Sequence, residues 1–343
     1  MLLPPLILIA VIITIALIFD FTNGFHDAAN AISTVISTKV LTPRKAVIFA
    51  AFFNFVAVFV MGVAVASTMA HIVNLNQVAA GMIPFIILGA LLAAIAWNII
   101  TWKIALPTSS SHALIGGLVG AGISAAGISV IHWDTIVLTI VFMVMSAITG
   151  LVAGYLFMVV LLRTVRGAPK AKADYHFKKL QLCSAALFSF SHGSNDAQKT
   201  MGIILPLLFS IGYFGASADP NNLPVPVWVI LGCYCAISLG TLSGGMRIVK
   251  TMGYKIMKVR PVHGFAAETA SAATIIGASL AGIPVSTTQV ISSAIMGVGS
   301  TSGVHNVGWG VGKRILWAWV LTIPLSAGIG FLIFRVISLF IPV

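Results

Sequence analysis

The chain consists of apolar stretches, most of them about 20 residues or longer, joined by short polar loops. In the first half they cover approximately 4–38, 46–68, 80–101, 108–126 and 135–162, and in the second half 181–207, 226–246, 261–281, 285–300 and 314–341. Of the 343 residues, 59% are apolar and 8% are charged, whereas a soluble domain carries about 25% charged residues. The mean hydropathy is +1.08. The sequence therefore predicts an all-α polytopic membrane protein.

The net charge of +12 comes from lysines and arginines that lie mainly in the short loops. This is the pattern of cytoplasmic loops in membrane proteins, so it indicates topology and does not indicate a nucleic-acid partner. The polar linker 163–180 is the most basic of these segments, and we expect it on the cytoplasmic face of the cell membrane together with the other basic loops.

The loop charges also relate the two halves of the chain. The loop after the first apolar segment carries Lys39, Arg44 and Lys45, and the next loop, 70–79, has no lysine or arginine. In the second half the order is reversed, because 208–225 has no basic residue and 247–260 has five. Equivalent loops would then lie on opposite sides of the bilayer. This predicts two inverted-topology repeats, 1–162 and 181–343, with discontinuous helices at the midplane, which is an architecture of secondary transporters.

Each half carries one aspartate within an apolar segment. Residues 24–31 read GFHDAANA and residues 193–200 read GSNDAQKT, which places Asp27 and Asp196 at matched positions. A carboxylate at the bilayer centre costs about 2.5–3.5 kcal/mol on insertion scales, so such residues are candidates for function. We expect the two segments to be interrupted there, and the two aspartates to belong to one site built from both halves.

Each half also contains a proline followed by several hydroxyl side chains. The sequences are PTSSSHALIGG from Pro107 and PVSTTQ from Pro284. Proline is favoured in the first turn of a helix, and the N-terminus of a helix binds anions through its free N–H groups. These segments predict half-helices that hold a tetrahedral oxyanion. The hydroxyl donors would be those of Thr108, Ser109, Ser110, Ser111, Ser286, Thr287 and Thr288. The alternative is that these hydroxyls are caps and packing residues of an ordinary helical bundle.

The carboxylates cannot contact an anion directly unless a cation neutralises them. We therefore expect Asp27 and Asp196 to hold a coupling cation, Na⁺ or H⁺, with Asn30 and Asn195 supplying neutral oxygens. Moving a dianion inward against 100 mV costs about 4.6 kcal/mol. Two monovalent cations cancel that charge, and a third makes the membrane potential drive uptake.

Four further polar residues are candidates for the same site. His26 could relay protons or orient Asp27. Lys199, at the position matching Asn30, could attract the anion or neutralise Asp196. Glu268, the only glutamate, is a candidate cation ligand, and Gln289 could contact the substrate.

The two pairs of motifs resemble those of the inorganic phosphate transporter family (PiT) in its short bacterial form. The matching segments are NGFHDAANA (23–31), LPTSSSHALIGG (106–117), FSHGSNDAQKTMGI (190–203) and GIPVSTTQ (282–289). The resemblance covers essentially the whole chain. It implies phosphate uptake by symport with a cation, inverted repeats and a homodimer, with Asp27, Asn30, Asn195, Asp196 and the hydroxyls at 109–111 and 286–288 in the transport site.

The first motif departs from the GANDVANA form of animal members, because Phe25 and His26 replace an Ala-Asn pair. The second copy ends in Gln198 and Lys199 instead of Ala-Asn. Bacterial members with this histidine resemble proton-coupled carriers, including carriers of a neutral metal–phosphate complex. The departures leave both Na⁺ and H⁺ open as the coupling ion.

Three other functions compete with this interpretation. A carrier of sulfate or another tetrahedral oxyanion would use the same half-helix donors. An intramembrane metal-dependent hydrolase would need three or more converging ligands, and the sequence has no HExxH motif. A passive anion channel is disfavoured because unneutralised carboxylates would repel the permeant ion. We therefore expect a transporter and not an enzyme.

Overall fold

A computed structural model describes residues 5–72, 78–215, 217, 219 and 222–340. Its first half contains α1 (Pro5–Ser37), α2 (Pro43–Val56), α3 (Ala64–Ala70), α4 (Ile83–Lys103), α5 (Ser110–Ala126) and α6 (Trp133–Thr164). Its second half contains α7 (Lys170–Ser210), α8 (Val227–Ser243), α9 (Met246–Lys250), α10 (Pro261–Leu280), α11 (Thr287–Ser300) and α12 (Trp309–Ser338). The predicted all-α architecture is confirmed.

Four of the described helices, α1, α4, α6 and α12, are long and apolar enough to cross a bilayer. Two bent pairs raise the count to six if each pair forms one span. The first pair joins Pro43–Phe59 to Ala64–Ala70 at 86°, and the second joins Val227–Ser243 to Met246–Lys255 at 58°. The structure breaks the single segment that the sequence predicted at 46–68, whereas the segment predicted at 226–246 corresponds to the continuous helix α8, and the second bend lies at its C-terminal end. The chain is a multi-pass membrane protein.

The two aspartate motifs lie inside continuous helices. Both α1 and α7 pass through their motif without a break, so the expected interruptions were wrong. Neither motif contains a proline, and a continuous helix satisfies every backbone group within the membrane. The structure also places residues 170–180 of the polar linker in the first turns of α7.

The two expected half-helices form, and each begins three residues after its proline instead of containing it in the first turn. Ser109 caps α5 by accepting a hydrogen bond from the backbone N–H of His112 at 3.2 Å. Ser286 caps α11 in the same way, accepting from the backbone N–H of Gln289 at 3.3 Å. Each N-cap side chain satisfies one of the free N–H groups at its helix start.

Each half-helix packs on the long C-terminal helix of the other half. The α5 helix lies against α12, and α11 lies against α6. Glycines bring the backbones together: a Cβ on Gly154 of α6 would lie 2.7 Å from the carbonyl oxygen of Ala294 in α11. Small residues at such crossings are typical of helix packing in membranes. The two halves are therefore interlocked.

The polar motifs lie between two buried apolar clusters. One cluster includes Phe19 of α1 and Met201 of α7, and the other includes Ala28 of α1 and Phe188 of α7. The intervening turns of α1 and α7 carry the buried polar side chains. This arrangement places a polar band across the middle of the molecule.

Candidate functional site

The candidate site lies where α1 and α7 pass the first turns of α5 and α11. Its titratable side chains are almost completely shielded from solvent. The exposed fractions are 3% for Asp27, 1% for Asp196, 2% for Lys199 and 0% for His192. A buried charge is tolerated only when it is paired and hydrogen-bonded, so the partners of each group determine what the site can do.

Asp27 is held by a histidine and a threonine. The Nδ1 atom of His26 lies 2.6 Å from Asp27 Oδ1, and the Thr288 hydroxyl donates to Asp27 Oδ2 at 3.2 Å. The other ring nitrogen of His26, Nε2, lies 3.2 Å from the Thr101 hydroxyl and 3.4 Å from that of Thr108. The imidazole therefore links the carboxylate to the segment before α5. This arrangement fits the orienting role weighed for His26.

Asp196 has a cationic partner instead. The Lys199 ammonium donates to Asp196 Oδ1 at 2.5 Å, and the Thr287 hydroxyl donates to Oδ2 at 3.2 Å. The ammonium also donates to Ser111 Oγ at 2.7 Å and to the carbonyl oxygen of Val285 at 2.6 Å. These three acceptors match its three protons. Of the two alternatives for Lys199, this geometry corresponds to neutralising Asp196.

The two carboxylates meet at His192, whose place four residues before Asp196 was noticeable in the sequence but which was not assigned to the predicted site. One ligand atom each from Asp27, His192 and Asp196 lie within 4.8 Å of one another. His192 Nε2 is 3.3 Å from Asp196 Oδ2, and its Nδ1 is 3.3 Å from Asn54 Oδ1. The signal in the sequence was the i, i+4 spacing of His192 and Asp196 on one helix face. Asn54 carries no such signal, since it is brought in by packing.

The two asparagines donate hydrogen bonds to hydroxyls of different helices. Asn30 donates from Nδ2 to the Thr288 hydroxyl at 2.8 Å, beside Asp27. Asn195 donates from Nδ2 to the Ser279 hydroxyl at 2.8 Å, and its buried Oδ1 has no hydrogen-bond partner among the described residues. A buried unpaired carbonyl oxygen requires an explanation, and a cation ligand is one.

The hydroxyls at the half-helix starts fall into three groups. Ser109 and Ser286 act as N-caps, and Thr108 donates to the Thr101 hydroxyl at 3.0 Å. Ser111, Thr287 and Thr288 contact the charged groups described above. Ser110 is buried, and its hydroxyl has no partner in the described part of the chain. Of the seven predicted donors, Ser110 is therefore the most available to an anion.

Two predicted residues lie at the margin of this cluster or outside it. Gln289 Nε2 lies 3.5 Å from His112 Nε2, and both residues line a groove of about 500 Å³ between α5, α6, α11 and α12. Glu268 accepts hydrogen bonds from Gln181 Nε2 at 3.0 Å and from the Ser184 hydroxyl. Among the described residues, none of the central side chains bonds to Glu268, so the structure does not bring it into the site.

Comparison with known proteins identifies the family. The profile of the Phosphate transporter family matches residues 23–330. The chain belongs to the phosphate transporter family. A "probable low-affinity inorganic phosphate transporter" of Rhizobium meliloti (strain 1021) is 50% identical over 318 residues, covering 92% of each chain. One of the same description from Bacillus subtilis (strain 168) is 44% identical, covering 97% of this chain and 98% of its own.

A solved structure agrees in fold. The protein described as "the sodium-dependent phosphate transporter" superposes with a TM-score of 0.87 at 24% identity, covering 97% of this chain and 100% of its own. The family membership makes this chain a transporter, so the hydrolase alternative does not apply. It also supports phosphate as the transported species.

Proposed function

We propose that this phosphate transporter takes up inorganic phosphate by symport with a cation, at one central site shared by both halves. The observation that carries the proposal is the convergence of Asp27, His192 and Asp196 within 4.8 Å, next to the first turns of α5 and α11. Carboxylate and imidazole groups suit a cation, and capped helix starts suit an anion. Both kinds of group meet where the duplicated motifs meet.

The charges of the site determine the binding order. With neutral histidines, Asp27 and Asp196 contribute two negative charges and Lys199 one positive charge. An approaching phosphate is therefore repelled until a cation or proton binds, because like charges repel strongly where water is excluded. The cation binds first at Asp27, Asp196 and their asparagine neighbours, and phosphate then binds at the hydroxyls of the half-helices.

Phosphate reaches the N-termini of α5 and α11 together. Ser110 supplies the donor that is already free, and Thr287 and Thr288 can turn from the carboxylates to the anion once a cation has taken their place. Lys199 bridges the two sides through Ser111 and Asp196. In this way cation binding and anion binding share the same hydroxyls, which couples them.

The two halves, 1–162 and 181–343 with the linker 163–180 between them, form inverted repeats in this proposal. The reciprocal packing of α5 on α12 and α11 on α6 supports it, as do the opposite loop charges. Alternating access arises when one bundle rocks against the other around the central site. The basic loops lie on the cytoplasmic side of the cell membrane. The homodimer and a neutral metal–phosphate complex as cargo rest on the family resemblance alone.

The test is uptake of labelled phosphate into proteoliposomes holding the purified protein. Na⁺ and H⁺ gradients are imposed separately, with excess sulfate as a competitor in parallel samples. We expect one gradient to drive accumulation and sulfate to have little effect. Flux that is independent of both gradients, from protein shown to be folded, would contradict symport. Equal competition by sulfate would instead assign a broader oxyanion carrier.

A further inference from the structure

Asp20 is a buried acid that lies outside the site described above. Four of the seven acidic residues in the sequence are buried, namely Asp20, Asp27, Asp196 and Glu268. Three of them accept hydrogen bonds from side chains of other helices. Asp20 does not: it is 0% exposed, and both of its carboxylate oxygens have no hydrogen-bond partner among the described residues.

The neighbours of Asp20 are other polar atoms that are also unpaired. The Thr200 hydroxyl of α7 and Asn23, one turn along α1, lie close enough to interact with the carboxyl group. The Thr200 hydroxyl, the Asn23 carbonyl oxygen and the Tyr234 hydroxyl of α8 are all buried without a partner in the described chain. Tyr234 is within electrostatic range of Asp20. Asp20, Asn23 and Thr200 therefore lie next to one another, and Tyr234 of α8 lies in the same buried region.

The charged groups that face Asp20 do not neutralise it. Asp196 and Lys199 of α7 act on it electrostatically, as Asp20 acts on Cys233 of α8. The Lys199 ammonium already donates to Asp196, Ser111 and Val285. A buried ionised carboxylate without a partner costs several kcal/mol. Such a group is stable only when a cation or a proton is bound to it.

The position of Asp20 relates it to transport. It precedes Asp27 by two helical turns, which is about 10 Å along α1. Thr200 follows Asp196 by about one turn on α7. Both shifts lead away from the basic loop at 39–45, so the group lies between the central site and the face opposite that loop. A cation entering from that side would meet Asp20 before the central site.

We propose that Asp20, Asn23, Thr200 and Tyr234 form a second cation site, separate from the central one, which takes a small monovalent cation, either Na⁺ or a proton. All of the ligand atoms are oxygens, which is the ligand type that hard cations prefer. The site supplies an additional positive charge to the transport cycle. Its part in coupling rests on the proposed symport, whereas the binding itself does not.

Binding is measured first, in phosphate-free samples of the full-length protein. Infrared difference spectra are recorded between Na⁺ and choline at fixed pH, and between low and high pH in choline, for wild type and Asp20→Asn. We expect a protonated-carboxyl signal that Asp20→Asn lacks. Its loss on adding Na⁺ assigns Na⁺ as the occupant, and loss only at high pH assigns the proton. If no signal depends on Asp20 under any of these conditions, the proposal is overturned.

Transport is measured second, as gradient-driven phosphate accumulation in proteoliposomes. We expect Asp20→Asn to lower accumulation at least about tenfold, since a lost charged ligand is worth about 1.5–3 kcal/mol, and Asp20→Glu to restore part of it. Asp134→Asn is the matched control, because Asp134 is exposed in the first turn of α6. Wild-type accumulation in Asp20→Asn overturns the role in coupling. If wild type itself fails to accumulate phosphate, the proposed function fails, and the infrared result still decides the site.

A milder variant protects the test against misfolding. Tyr234→Phe removes one hydroxyl and keeps the ring. We expect it to shift the Na⁺ concentration or the proton concentration at the midpoint of the Asp20 signal by about fivefold, the effect of one hydrogen bond or ligand worth about 1 kcal/mol. An unshifted midpoint excludes Tyr234 and overturns the four-residue site.

Discussion

The two halves of the central site carry the same motif with different partners. Asp27 is paired with a histidine, whereas Asp196 is paired with a lysine and approached by a second histidine. Each carboxylate accepts a hydrogen bond from one hydroxyl of α11, which is that of Thr288 for Asp27 and that of Thr287 for Asp196. Their burial is nearly equal. The duplicated carboxylates have therefore kept their places and changed their electrostatic roles.

The difference in partners indicates that the two aspartates have different roles in cation binding and in stability. Asp196 and Lys199 form a buried ion pair, which is expensive to break because either partner alone is an uncompensated buried charge. Among the described residues, Asp27 has no lysine or arginine partner, and His26 is charged only when protonated. We infer that Asp27 is the carboxylate that mainly binds and releases the cation during transport, and that Asp196, whose charge Lys199 balances, contributes less to that cation and mainly stabilises the fold. Three predictions test this distinction, and a fourth tests the hydroxyls of the first half-helix.

Removing the carboxylate of Asp196 is expected to have the largest effect. Asp196→Asn leaves the Lys199 ammonium buried without its counter-ion, which costs about 3–5 kcal/mol of folding stability. Thermal melting and size-exclusion chromatography of the purified protein measure the loss. The double variant Asp196→Asn, Lys199→Met removes both charges and should recover most of the stability. If the single variant is as stable as wild type, the ion pair does not have the role assigned to it.

Asp27→Asn is expected to spare folding and abolish coupling. It removes the charge that holds the cation, a loss of about 1.5–3 kcal/mol or about 10–100-fold in cation affinity. Initial rates of gradient-driven phosphate uptake measure the effect, with the melting temperature as the control. Uptake at the wild-type rate would remove Asp27 from the cation site. A melting temperature that falls as far as in Asp196→Asn would remove the distinction between the two halves.

The two threonines of α11 offer a matched pair of smaller changes. Thr288→Val removes the donor to Asp27 and the acceptor for Asn30, whereas Thr287→Val removes only the donor to Asp196. At about 1 kcal/mol per hydrogen bond, we expect about a fivefold weaker cation activation for Thr287→Val and a larger change for Thr288→Val. The cation concentration for half-maximal uptake measures both. The reverse order would mean that Asp196 is the half that exchanges its cation.

Variants of two neighbouring serines at the start of α5 should have the smallest effects, one on substrate binding and the other on stability. Ser110→Ala deletes a hydroxyl without a partner in the described residues, so we expect a higher KM for phosphate and an unchanged melting temperature. Ser109→Ala deletes the N-cap of α5 and costs about 1 kcal/mol of stability. Phosphate uptake kinetics give the KM of both variants, and thermal melting curves give their stability. An unchanged KM in Ser110→Ala would exclude its hydroxyl from the substrate site.

Much of the fold could be predicted because membrane-spanning segments are encoded locally. The apolar stretches predicted most of the helices, and the prolines at 107 and 284 predicted the starts of α5 and α11 to within three residues. The bends between α2 and α3 and between α8 and α9 were missed, since hydropathy measures length and not direction. The breaks expected at Asp27 and Asp196 were wrong because buried polar partners stabilise an aspartate inside a continuous helix.

The candidate site was predictable where it is duplicated and at the polar residues next to the duplicated aspartates, such as His26 and Lys199. Repetition revealed Asp27, Asp196 and the hydroxyl clusters, but it could not reveal residues that only one half contributes. Asn54, for example, enters the site through the packing of α2 against α7, and Asp20, outside the site, has Ser189 at the matching position of the second half. Glu268 was a reasonable candidate as a buried acid, but its hydrogen bonds to Gln181 and Ser184 place it in a separate cluster.

The exchanged packing of the half-helices also sets the order in which the protein can be completed during synthesis. The α11 helix packs on α6, which is already in the membrane when α11 emerges. The α5 helix packs on α12, which begins about 180 residues after α5 ends. At about 5–20 residues per second, α5 waits roughly 10–40 s for its partner. The reciprocal contacts therefore form at different times, and α5, which packs on α4 at once, stays without its partner from the other half for longer than α11 does.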